Sequence, residues 1–154
     1  MMSPDPIEVV ATNRRAKYDY FLLDTYEAGL VLLGAEVKSV RSGRVQLREA
    51  HVAEKDGELW LINAHIAAYE MATRQSYDPV RPRKLLLHRR EINKLLPKLS
   101  LAGHTMVPIK MYLRRGRAKV EISLVKGKRQ YDKRQAIAKR ESEREIAREL
   151  GRRR

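Results

Sequence analysis

MVPIKMYLRRGRAKVEISLV, running from Met106 to Val125, is the stretch on which the fold turns. Two apolar-rich runs, Met106–Leu113 and Ala118–Val125, flank the polar link Arg114-Arg115-Gly116-Arg117. In the second run Val120, Ile122 and Leu124 alternate with Glu121, Ser123 and Val125. That is a period of two with one lapse, the pattern of a strand with one face in a core. Upstream, Asp56-Gly57 stands between His51-Val52-Ala53 and Leu59-Trp60-Leu61-Ile62. A two-residue turn of this composition supplies the positive φ angles of a hairpin, so a second strand pair is expected there. Ile7–Val10 is also β-rich, and Tyr20–Val31 has strand-like content around Tyr26-Glu27-Ala28-Gly29.

Two short helices interrupt the strands. Gly34–Ser42 places Val37 and Val40 on one face and Lys38 and Arg41 on another, with Gly43 as a C-terminal stop. Arg89–Leu99 carries the apolar stripe Ile92, Leu95, Leu96 and Leu99, and Pro97 is expected to bend or end that helix early. Tyr77–Arg83, with Pro79, Pro82, Arg81 and Arg83, reads as an exposed basic loop. Short strands, hairpins and flanking helices predict a mainly β fold: a small OB-like barrel.

The chain has 154 residues and a formal net charge of +14. Half of that charge lies between Lys126 and Arg154, where twelve Lys or Arg face five Asp or Glu. Only Ile137, Ile146 and Leu150 are large aliphatics there, too few to build a core. The expected organisation is a folded domain over 1–125 and a basic tail over 126–154, with residues 1–6 loose around their two prolines. Such a charge calls for a polyanionic partner. A membrane is disfavoured, because no apolar run approaches the ~20 residues of a spanning helix. The N-terminus has neither the basic segment nor the apolar core of a signal peptide. With no cysteine for disulfides or thiolate chemistry, a cytoplasmic protein is expected.

No enzymatic constellation stands out, and no cofactor is expected. His51, His65, His88 and His104 are too scattered for metal-ligand spacing. Gly127-Lys128 is followed by Arg129, and Ile122 stands where a phosphate loop would have its first glycine. Glu27 and Glu36 lie in apolar contexts among basic residues. Structural ion pairing is the preferred reading; acceptance of hydrogen bonds from nucleobase or ribose is the sharper one.

Nucleic-acid chemistry is better supplied. Arg14, Arg15 and Lys17 stand beside Tyr18 and Tyr20, and Tyr131 lies inside GKRQYDKR. Cations hold phosphates, and rings between them stack on unpaired bases. Further along the tail Glu141 and Arg144, and Glu145 and Arg148, are spaced i,i+3, while Ile146 and Leu150 share a stripe. Such pairs are worth only ~0.2–0.5 kcal/mol each. The tail is expected to be disordered alone and helical against a surface.

Five strings in order carry a resemblance: NRRAKYDYF (Asn13–Phe21), YEAGLVLLGAEVKSVRSG (Tyr26–Gly43), DGELWLINAHIAAYE (Asp56–Glu70), DPVRPRKLLLHRREINKL (Asp78–Leu95) and KGKRQYDKR (Lys126–Arg134). With them the chain resembles the small protein B family, the SsrA-binding proteins of bacterial trans-translation, from about Ile7 to Leu150. The resemblance implies an OB-like barrel that binds the tRNA-like domain of transfer-messenger RNA. It implies delivery of that RNA, with elongation factor Tu and GTP, to ribosomes stalled with an empty decoding site. It places RNA-facing roles on Asn13, Glu27, Arg41, Leu86 and Lys119, with Lys38 beside Arg41. Roles in the decoding site fall on Gly127, Lys128, Tyr131, Asp132, Lys133 and Arg134, with the tail helical in the mRNA path. Tyr18 and Tyr131 stand where many members have His, which keeps a planar ring and loses a titratable group. Glu149-Leu150 replaces a pair that is apolar in some members. The rival readings are a structural ribosomal protein and an RNA-processing enzyme; the protein is expected to be a monomer without metal.

Overall fold

Met106–Val125 forms the centre of two long strands, β8 (His104–Arg114) and β9 (Arg117–Gly127). They are antiparallel from His104↔Lys126 to Arg114↔Arg117. Their link, Arg115-Gly116, has φ of 51° and 74°, the left-handed pair of a tight hairpin turn. The ladder slips once, between Pro108 and Lys110, where a proline has no N–H to give. This computed structural model describes residues 6–68, 77–127 and Arg144. Residues 1–5 of the loose segment expected at 1–6, and the tail expectations at Lys128, Tyr131, Asp132, Lys133, Arg134, Ile137, Ile146 and Leu150, lie outside the described residues.

The remaining strands are β1 (Ile7–Thr12), β2 (Tyr20–Leu30), β3 (Val45–Gln46), β4 (His51–Lys55), β5 (Glu58–Ile62), β6 (His65–Ile66) and β7 (Arg83–Leu86). Hydrogen bonding runs β8-β4-β5-β7-β2-β9 and returns from β9 to β8, so the sheet closes into a ring of strands. β1 adds to the outside of β8, and β3 pairs with β6 in a small separate sheet. The mainly β expectation holds, and the closed ring leaves no long edge inside it to pair with another chain. Closure is narrow at three seams: β4 meets β8 at Val52↔Met106 alone, and β7 meets β2 and β5 at two pairs each. By contrast β9 is paired on both sides, with β2 from Gly29↔Lys119 to Tyr20↔Gly127 and with β8 over almost the same length. Gly127 N–H donates to Gly103 O at 3.0 Å, so pairing runs two residues past Val125.

The Asp56-Gly57 turn forms as expected, with φ of 54° and 76° between β4 and β5. Inside the ring Leu59, Leu61, Leu85, Met106, Met111, Val120 and Ile122 are fully buried. α3 (Arg89–Leu99) covers them with Ile92 and Leu95. It corrects one expectation, because it runs through Pro97 to Leu99. A proline inside a helix costs ~3 kcal/mol, while burying two aliphatic side chains returns ~1.5–3 kcal/mol each. The stripe therefore outweighs the proline. Ser100 Oγ then donates to Leu96 O at 3.1 Å and finishes the last turn.

α2 (Gly34–Arg41) begins with Leu33 N–H donating to Glu36 Oε1 at 2.9 Å. It ends at Gly43, whose φ of 74° is the left-handed stop that the glycine allows. α1 (Ala16–Asp19) is a single turn between β1 and β2.

The exposed basic loop expected over Tyr77–Arg83 is a second correction. Arg83 is fully buried and opens β7; Arg81 is mostly covered. Both arginines close on Glu36, which is itself fully buried. Arg83 Nε donates to Glu36 Oε2 at 2.7 Å and Arg81 Nε to Oε1 at 3.1 Å. Arg83 also donates to Ala64 O and Pro79 O. A buried carboxylate must be paired or neutralised, so the ion-pair reading of Glu36 is the right one. Burial pushes its pKa up, but Arg81, the Leu33 N–H and Arg83 together hold it below the ordinary carboxylate range.

Candidate nucleic-acid interface

One face of the barrel collects side chains from four strands at the end that carries the Arg115-Gly116 turn. Strand side chains alternate, so Glu27 and Gly29 on β2 share a face, as do Lys119 and Glu121 on β9 and Lys110, Tyr112 and Arg114 on β8. The registers Gly29↔Leu86, Gly29↔Lys119 and Tyr112↔Lys119 set these residues in rows.

Gly29 makes the centre of one row flat. A Cβ there would meet Leu86 Cβ at 3.3 Å and Lys119 Nζ at 3.7 Å. Leu86 is 51% exposed, an apolar side chain held in solvent beside an ammonium group. Tyr112 stands in the same row beyond Lys119, and its hydroxyl crosses to the next row, where it donates to Glu27 Oε2. Arg114 Nη1 reaches the same carboxylate, at 3.0 Å from Oε2 and 3.3 Å from Oε1. Lys110 Nζ and Arg114 Cζ each lie 5.7 Å from the Tyr112 ring centre. Burial, and then the adjoining Glu27 carboxylate, push the Tyr112 phenol well above its ordinary range. Lys110 pairs with Glu121 at 3.3 Å. Glu27 is thus ion-paired, as the preferred sequence reading held.

α2 brings its cationic face to this end. Arg41 Nη2 lies 3.9 Å from where a Cβ on Gly116 would sit, and Lys38 is exposed one turn earlier on the same side. Leu86 and Lys119 therefore meet at Gly29, with Glu27 in the adjoining row, while Arg41 lies at the turn that joins β8 to β9. Asn13 is apart. It is only 7% exposed, its amide donates to Pro108 O at 2.9 Å, and its backbone N–H donates to Ile109 O at 2.7 Å. It pins β1 to the slip in β8, and its Oδ1 is buried without a partner at a cleft lined by Arg15, Arg48 and His51. Gly127 lies at the opposite end of β9 from Lys119.

Sequence reasoning missed Tyr112 and Arg114. Part of the signal was present, since Lys110 and Tyr112 alternate on the expected strand Met106–Leu113; Arg114 was assigned to the polar link, and β8 runs one residue further to include it. Among the described residues no group of His, Asp and Glu could hold a metal ion, and no helix is long and apolar enough to cross a membrane.

Comparison with known proteins gives the family of the chain. The family model described as SmpB protein matches residues 10–152. The SsrA-binding protein of Thermobifida fusca is 57% identical over 147 residues, covering 96% of this chain and 92% of the relative. That of Symbiobacterium thermophilum is 54% identical over 145 residues, covering 94% and 92%. A solved structure described as "tmRNA-SmpB: a journey to the center of the bacterial ribosome" contains a chain with a TM-score of 0.65 and 49% identity. The match covers 77% of this chain and 83% of that one. By sequence over nearly its whole length and by fold, the chain belongs to the SmpB family of SsrA-binding proteins.

Proposed function

We propose that the protein is the RNA-binding adaptor of trans-translation. It binds the tRNA-like domain of transfer-messenger RNA and carries it to ribosomes stalled with an empty decoding site. The observation that carries this reading is the meeting of Lys119 and the exposed Leu86 at Gly29, with Glu27 in the adjoining row and Arg41 at the β8–β9 turn. Duplex RNA hides its base edges in a deep major groove, so cations placed on its phosphates and an apolar side chain against its sugars suit recognition by shape. Asn13 holds β1 in place beneath a cleft flanked by arginines. The protein acts in the cytoplasm as a monomer, delivered with elongation factor Tu and GTP, and has no catalytic role of its own.

The basic tail from Lys126 onward supplies the ribosomal half of the function. Gly127 and Lys128 form the root. Tyr131 stacks on a decoding-centre base, Lys133 and Arg134 hold phosphates, Asp132 accepts hydrogen bonds between them, and the remainder becomes helical in the vacant mRNA path.

Lys119→Ala and Arg41→Ala are each expected to weaken binding of the tRNA-like domain. Each should also flatten the dependence of log K on log salt by about one unit per lost phosphate contact. Titrations at several salt concentrations measure this, and unchanged slopes in both variants would remove these side chains from the phosphates. Protein recovered from its host lysate should carry one RNA with a tRNA-like end; ribosomal RNA alone, at one copy per ribosome, would favour a structural ribosomal protein instead.

A further inference from the structure

We infer that Glu27 serves RNA binding at second hand: it aims the guanidinium of Arg114, which takes a backbone phosphate of the bound RNA. This rests on the RNA-binding reading above and adds Arg114 to the interface. A carboxylate on a phosphate-binding face repels its ligand unless something else occupies it. Here two donors of the protein already do. The Tyr112 hydroxyl and Arg114 Nη1 both reach Glu27 across β9, which lies between β2 and β8. Tyr112 is buried to 4% exposure, so the carboxylate it holds is fixed, and the arginine is held in turn.

Arg114 is suited to the task. Its side chain is 37% exposed, and Nε is buried without a partner. A guanidinium carries five N–H donors in a planar fork. Nη1 is bound to Glu27 and the side chain is part-exposed, so the fork keeps further donors for a ligand, and a tethered arginine loses less rotamer freedom on binding than a loose one. The Tyr112 ring, 5.7 Å from Arg114 Cζ, limits its movement further. The residue also stands where phosphates are expected: it pairs with Arg117 beside the turn that Arg41 approaches, two residues along β8 from the partner of Lys119.

A double-mutant cycle tests this, with the isolated tRNA-like domain of transfer-messenger RNA as the probe and binding measured at several salt concentrations. Arg114→Ala is expected to weaken binding about tenfold or more, the value of a hydrogen-bonded charge contact, and to flatten the salt slope by about one unit. Glu27→Gln should weaken binding severalfold in the wild-type background and hardly at all when Arg114 is already alanine. Arg114→Lys, which keeps charge without the fork, should keep the slope and still lose affinity. Thermal unfolding of each variant checks that the barrel is intact. Losses that multiply across the cycle would show that Glu27 touches RNA itself and overturn the inference, as would an Arg114→Ala variant with the wild-type slope. A wild-type chain that binds no RNA overturns both this inference and the function on which it rests.

Discussion

Arg83→Ala is expected to lower the free energy of unfolding by about 3–5 kcal/mol, the cost of leaving one member of a buried ion pair alone. A small domain has only ~5–15 kcal/mol in all, so denaturant midpoints should move far. The size follows from burial. Arg83 is fully covered, and its removal leaves Glu36 with Arg81 alone and takes a donor from Ala64 O; Pro79 O keeps only the Ile66 N–H. Lys98 and Asp24 provide the internal contrast. That pair joins α3 to β2 at 2.7 Å, but both side chains are substantially exposed, and Lys98→Ala should cost far less, because water screens the pair. Equal losses in the two variants would mean that water screens Glu36 after all. Acid gives a second reading. Glu36 titrates lower when folded than when unfolded. Its contribution is complete above the unfolded-state pKa and is lost as pH falls through the folded one. Without Arg83 that loss begins at higher pH.

Tyr131→Ala is expected to abolish most peptide tagging on ribosomes stalled without a codon, while binding of free transfer-messenger RNA stays near wild type. Stacking on an unpaired base is worth ~1–3 kcal/mol, and Lys128, Arg129, Lys133 and Arg134 around the ring do not replace it. Tyr131→His keeps a planar ring and should retain much of the activity. Ile146→Pro or Leu150→Pro should impair tagging by breaking a helix formed on the ribosome, where ordering already costs ~1–2 kcal/mol per residue. A chain ending at Gly127, which spares both ladders of β9, should bind the RNA with modestly reduced affinity and support no tagging. Normal tagging by Tyr131→Ala would exclude stacking from the mechanism; normal tagging by the proline variants would mean the tail works as an extended chain.

What the sequence disclosed was local. Asp56-Gly57 and Arg115-Gly116 need positive φ, and few residue types supply it, so both hairpins were legible from a handful of letters. Gly43 ended α2 for the same reason. What stayed hidden depended on partners far along the chain. Arg81 and Arg83 look like surface residues until Glu36, more than forty residues earlier, is seen to be buried between them. Pro97 looks like a break until Ile92 and Leu95 are seen to fill the barrel. On the interface, the placing of Leu86 and Lys119 came from family resemblance, because their meeting at Gly29 is a matter of register that neither segment announces alone.

β9 carries Lys119 near one end and Gly127 at the other, locked on both sides by neighbouring strands. Eight residues of strand at about 3.4 Å each set Lys119 roughly 27 Å from Gly127. On the proposed function the strand is thereby a ruler between the RNA-holding face and the root of the tail. A residue inserted between Ile122 and Val125 would either bulge out of the double ladder or turn the buried Leu124 and Val125 to the opposite face, so the span between the two ends of β9 is held by the fold of the barrel itself.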